Sequence, residues 1–166
     1  MKEKNKNIFY DVKSLERTMD IEKRCNKGYL QKKLSKAFPN EKLTVVEAYI
    51  NTSGKFINKS KGLLGSLLPI NRVHNLPEFC HVVVEHSTGK FTEKIFIWSP
   101  VKWNDRFLGC VGGGTATGGE GYINAPDNTS RSATLPKAVL NGFTGATTDA
   151  ACTKIEWALE KDGTLN

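Results

Sequence analysis

Residues 106–149, RFLGCVGGGTATGGEGYINAPDNTSRSATLPKAVLNGFTGATTD, carry the reading that decides the fold. Arg106–Val111 is apolar enough to form a strand, and it runs directly into Gly112-Gly113-Gly114. A glycine-rich stretch continues to Gly121, and the polar run Asn124–Ser132 extends it. Thr134–Asn141 then predicts a short helix. Pro136 falls in its first turn, where a missing N–H costs no internal hydrogen bond, and Gly142 suits the position just past the end. Phe143–Asp149 reads as a strand, and Thr153–Lys161 as an amphipathic helix closed by Asp162-Gly163. Strand, glycine segment, helix, strand, helix is the order of a parallel, helix-covered sheet.

The pattern changes on the amino-terminal side. Phe79–His86 and Phe91–Trp98 are two strands separated by Ser87-Thr88-Gly89-Lys90, which predicts a hairpin. Pro100 ends the second strand, and Trp103-Asn104-Asp105 forms a turn before Arg106. Leu43–Ile50 is a further strand with Asn51–Gly54 as its turn, and residues 55–78 read as a loop. Ser14–Arg24 fits one or two helical turns. A cleaner helix follows Gly28, where Leu30, Leu34 and Phe38 recur every four residues until Pro39-Asn40 stops it. The organisation expected is a disordered basic tail (1–12), amino-terminal helices (13–42) and an α/β core (43–166). That core would begin with a β-hairpin and continue through the first βαβ units.

The chain of 166 residues is long enough for one domain with a real core, and its mean hydropathy of −0.39 is that of a globular chain. No stretch approaches the roughly 18 apolar residues of a membrane span. The longest, Gly62–Ile70, is short and broken by glycine and proline. The amino terminus has the positive start of a secretion signal without its apolar centre. Residues 1–36 hold eleven Lys or Arg against five acids, so most of the +7 net charge lies in that arm. A basic arm can meet phosphate backbones or anionic lipid. No aromatic RNA signature or zinc-finger spacing accompanies it, so it reads as a solvated helical face, with neither nucleic acid nor membrane as partner. The four cysteines (Cys25, Cys80, Cys110, Cys152) contain no Cys-x-x-Cys, which argues against a zinc knuckle or redox motif; no metal or cofactor is expected.

The glycine segment sits where open α/β sheets place ligands, at the carboxyl end of a strand. Consecutive glycines let several backbone N–H groups converge on one anionic point. Phosphate readings fail in detail: neither Gly-Lys is followed by Ser or Thr, and residues 109–121 contain no Gly-x-Gly-x-x-Gly. An oxyanion loop or a plain surface loop remain, and spacing does not choose between them.

Resemblance chooses. Leu76-Pro77-Glu78-Phe79-Cys80-His81-Val82, then Phe96-Ile97-Trp98-Ser99-Pro100, then Trp103-Asn104-Asp105-Arg106-Phe107 are similar in order and spacing to motifs of the tannase/feruloyl esterase family. The Gly112–Gly119 segment, Leu135–Val139 with Gly142-Phe143, and Thr147-Thr148-Asp149 continue the series. The likeness covers about residues 43–150. It implies an α/β-hydrolase core that cleaves esters of aromatic acids with a Ser-His-Asp triad, and an extracellular location. It makes the amides of Gly113, Gly114 and Thr115 the candidate oxyanion donors. After Asp149 the chain departs from the family, with Ala150-Ala151-Cys152 in place of a small residue, Gly and His.

The triad itself has no candidate. These residues contain no Gly-x-Ser-x-Gly and no Cys-Ser, and His74, His81 and His86 all precede the glycine segment, whereas such hydrolases place their His last. His81 and His86, five apart on one strand, should point to opposite faces as ordinary strand residues. Asp149 is expected to hydrogen-bond a turn. Cys25 and Cys80 are the best disulfide pair, stapling the amino-terminal helix to the first hairpin strand, with Cys110 buried and free. The leading expectation is the amino-terminal part of an ester hydrolase, inactive alone, taking a small aromatic ester only with a complementing hydrolase fragment. The competing expectations are a non-catalytic binding module offering Trp98, Trp103 and Tyr122, and a basic-arm binder.

Overall fold

The computed structural model describes residues 15–57, 72–89, 92–110 and 134–148. They form α1 (Ile21–Arg24), α2 (Lys27–Ala37), β1 (Lys42–Asn51), β2 (Lys55–Ile57), β3 (Arg72–His74), β4 (Phe79–Ser87), β5 (Thr92–Pro100), β6 (Phe107–Gly109), α3 (Leu135–Leu140) and β7 (Thr144–Thr148). The fold is mixed α/β. A five-stranded sheet has the order β1-β4-β5-β7-β6, and β2 and β3 make a separate two-stranded ladder.

The sheet changes character across its width. β1, β4, β5 and β7 pair antiparallel in turn, and β6 joins β7 in parallel. The parallel expectation therefore holds for the one unit β6, α3, β7, where a helix separates the strands. The β4–β5 hairpin and α3 fall where the sequence places them. The strand expected over Arg106–Val111 is shorter, and the helix expected at 153–161 lies outside the described residues.

Alternation decides which face each residue covers. Ile95 and Ile97 of β5 join Cys80, Val82 and Val84 of β4 in one apolar layer beneath Ile21, Cys25, Leu30 and Leu34 of α1 and α2. Phe96 and Trp98 face the other way, into a layer with Phe79, Leu135, Val139, Val73 and Phe56. β1 keeps its apolar residues on one layer through a bulge: Val45 pairs with Val84 and Glu47 with Val83, leaving Val46 extra. The added residue shifts the parity, so Leu43 and Val45 before it and Ala48 and Ile50 after it all pack toward the helices.

Residues 55–78 are a correction to the sequence reading. β2 and β3 lie within the expected loop and pair Phe56 with Val73. Three-residue strands leave almost no alternation to detect; their stability comes from tertiary contact, with Phe56 edge-on to Trp98 at 4.8 Å between centroids. Of the one or two turns expected over Ser14–Arg24, the described residues form one, at Ile21–Arg24, after Asp20 in a left-handed conformation (φ 55°).

The amino-terminal helices are fastened chemically. Asn26 caps α2, accepting from the Tyr29 N–H at 3.1 Å. Cys25 and Cys80 form a disulfide with Cα atoms 5.8 Å apart, the pair that the sequence favours. Closing a loop of that separation, 55 residues, is worth about 4 kcal/mol by chain entropy. Gln31 reaches from α2 to β1, donating to the Leu43 carbonyl (2.9 Å) and accepting from the Val45 N–H (2.8 Å).

On the opposite layer, α3 approaches β7 so closely that a side chain does not fit between them. A Cβ at Gly145 would stand 2.8 Å from the Ala138 Cβ and 3.0 Å from Leu135 Cδ2. Gly145→Ala should therefore lower stability by about 1–3 kcal/mol in chemical denaturation. Combined with Ala138→Gly it should cost less than the sum of the two single changes, because the second change removes the closer of the two contacts.

Candidate functional site

β6 is only three residues long, so its position depends on what holds its ends. The Trp103–Arg106 turn does this at the amino end. The Asn104 side chain donates to the Asn141 carbonyl (3.0 Å) and accepts from the Arg106 N–H (3.2 Å). Its backbone N–H donates to the Gly142 carbonyl (3.0 Å), and Thr144 N–H donates to the Arg106 carbonyl (3.0 Å). Asp105 takes a left-handed conformation (φ 61°), which an Asp tolerates better than most residues. Trp103 Nε1–H also donates to the Arg106 carbonyl, at 2.8 Å. Gly142 must be glycine on two counts, φ of 74° and a Cβ position 3.3 Å from Asn104 Nδ2. Two motifs far apart in sequence are thus one clasp. The clasp sets β6 parallel to β7 and aims the chain out of β6 at Cys110, whose N–H donates to Ala146 (2.8 Å).

Cys110 is the last described residue before the glycine segment. It is free and fully buried against Gly145, and burial pushes its thiol up to about 11. A thiol so protonated at neutral pH is not a nucleophile. The oxyanion candidates Gly113, Gly114 and Thr115 lie outside the described residues, as do Tyr122, Asp149 and Cys152. Among the described residues no group of three or more His, Cys, Asp or Glu could hold a metal ion.

The histidines occupy opposite faces, as their spacing requires. His81 is buried between Tyr49 and Phe56, and its Nδ1 accepts from Trp98 Nε1–H at 2.8 Å. The ring proton therefore sits on Nε2, 3.5 Å from the Glu47 carboxylate. His86, on the other face, has Glu93 at Nδ1 (2.9 Å) and Glu41 at Nε2 (3.0 Å), and Thr148 Oγ1 donates to the second Glu93 oxygen (3.0 Å). This row runs from the junction before β1 across β4, β5 and β7, at the end of the sheet from which the chain leaves β6 and β7. By sequence, His86 is an ordinary strand residue. Its pairing with Glu93 follows from the hairpin register; Glu41 gives no comparable signal.

Trp98 is fully buried under Phe79, with centroids 4.3 Å apart, so it is a core residue and cannot contact a ligand. Trp103 (39 % exposed) and Phe107 (65 %) are exposed.

No family model and no solved structure matches the chain. It is 34 % identical over 98 residues to a probable feruloyl esterase of Arthroderma benhamiae, an alignment covering 54 % of this chain and 16 % of that protein. The chain thus spans about a sixth of the length of the curated relative it matches. That likeness supports an esterase-like origin.

Asn104→Ala should cost about 1–3 kcal/mol in denaturant unfolding, since it leaves the Asn141 carbonyl and the Arg106 N–H without that partner. Burial holds His81 below its ordinary 6.5, with Glu47 opposing. A depressed histidine contributes stability that is complete above 6.5 and is lost as pH falls through its lower folded value. NMR titration should accordingly show His81 neutral at pH 6.5, with the proton on Nε2.

Proposed function

We propose that this chain is the amino-terminal part of a carboxylic-ester hydrolase acting on aromatic-acid esters, of the tannase/feruloyl esterase kind. Its core is then the beginning of an α/β-hydrolase sheet. Counted from β4, β6 is the third strand, and the segment between it and the following helix is where esterases of that fold place one oxyanion-hole amide. The observation that carries the reading is the clasped β6–α3–β7 unit, which launches a glycine-rich segment from the carboxyl end of a parallel strand. The likeness to the Arthroderma benhamiae probable feruloyl esterase supports the same substrate class.

In this reading, the amides of Gly113, Gly114 and Thr115 meet the negative oxygen of the tetrahedral intermediate. Glycine at the first two positions lets the backbone approach the substrate without a Cβ in the way. The nucleophile, acid and base come from a complementing part of the hydrolase, since these 166 residues offer no nucleophile elbow. Of the residues nearest the start of the glycine segment, Cys110 is buried and protonated, and Ser99 is engaged with Thr144 at 2.8 Å. A second reading, a binding module derived from such a hydrolase, is favoured by exposed Trp103 and Phe107; it loses Trp98, which is buried.

Alone, the chain should not turn over methyl ferulate or methyl gallate. The matching segment should, however, replace its counterpart in the Arthroderma benhamiae esterase with feruloyl-ester hydrolysis retained. In that chimera, proline at position 113, 114 or 115 removes one N–H at a time. The position that supplies the oxyanion donor should lose about 10²–10³ in kcat with KM little changed. A folded chimera without hydrolysis, whose chain alone binds ferulate without turnover, would favour the binding module.

A further inference from the structure

His86 faces two carboxylates at once, and that is more than a neutral imidazole can satisfy. A neutral ring has one N–H and one lone pair, and a carboxylate only accepts. With Glu93 at 2.9 Å from Nδ1 and Glu41 at 3.0 Å from Nε2, both contacts are hydrogen bonds only when the ring carries both protons. Glu93 is tied in turn to Thr148 at 3.0 Å. We propose that Glu41, His86, Glu93 and Thr148 form a proton-controlled tie that fastens the α2–β1 junction to the end of β7.

Among the described residues, the groups facing His86 come from three directions. Glu41 comes from the junction before β1, Glu93 from β5, and Thr148 from β7 through Glu93. Its partner across β1 is the apolar Leu43. Lys42, next to Leu43, and the Glu85–Lys94 pair, one residue along each hairpin strand, belong to the opposite face. Hydrogen bonds from Glu93 first and Glu41 second raise His86 above its ordinary 6.5. The stability it contributes is therefore complete below 6.5 and is lost as pH rises through the raised folded value. This is opposite in sign to His81 on the other face of the same strand.

The tie opens from one side. The Glu93 side chain is 27 % exposed and held by Thr148, whereas Glu41 is 52 % exposed and can turn to water. When one proton leaves, the ring keeps Nδ1–H toward Glu93 and presents a bare Nε2 to Glu41. The junction is released while β5 and β7 stay joined. A pH below 6.5 closes the tie and a pH above the raised folded value opens it, whether or not the esterase reading holds.

A 15N NMR titration of the full chain tests this, with His81 as an internal contrast. The His86 ring should titrate above 6.5, and its neutral form should carry the proton on Nδ1. Backbone amides of residues 41–43 should follow the same midpoint. Glu41→Gln, at an exposed site, should lower the midpoint and abolish the response at 41–43 while the Thr148 amide stays unchanged. A ring titrating at or below 6.5, a neutral form protonated on Nε2, or a midpoint indifferent to Glu41→Gln would each overturn the proposal.

Discussion

The side-chain amide of Asn104 joins two parts of the chain 37 residues apart, and the geometry of the α/β half of the molecule follows from that junction. A strand of three residues has too few ladder bonds to fix its own direction. β6 has a direction because its approach is clamped to the Asn141–Thr144 corner, and because β7 carries a glycine where α3 presses hardest. The corner is itself built from a helix end: Thr134 opens α3 by accepting from Lys137 N–H, and Gly142 closes it in the left-handed region. Helix length, corner and clamp together determine where the glycine segment begins.

Much of this was legible in the sequence, for reasons particular to each element. The hairpin declared itself through two apolar runs around a four-residue polar turn, and α3 through Thr134, Pro136 and Gly142, each suited to one end of a helix. The sequence could not show that the sheet begins with β1 beside β4, because strand neighbours so far apart leave no local trace. Val45-Val46 gives no sign of which valine is the bulged one; only pairing with Val84 and Val83 decides it. β2 and β3 were hidden for a different reason. Their residues are ordered by Trp98 and His81, and without those partners Phe56 is one aromatic in a glycine-containing stretch. The cysteine pairing was readable; the proposed oxyanion segment lies outside the described residues.

The two histidines of β4 show how little of a residue's chemistry is set by its type. One strand, by alternation alone, delivers one imidazole to an aromatic layer and another to a row of carboxylates. In the first, water is excluded and the neutral form wins, with Trp98 naming the nitrogen that stays bare. In the second, charge is stabilised by charge. A hairpin slipped by one residue would exchange the two environments and fail on both faces, which makes this pair a strong constraint on register.

Gln31 has one more effect. By offering a carbonyl and an amide N–H to Leu43 and Val45, its side chain imitates the strand that would otherwise add beyond β1. β6, at the far side, has β7 as its one strand neighbour among the described residues. Among the described residues, the two ends of the sheet therefore differ: at β1 a side chain occupies two of the backbone groups that an added strand would use.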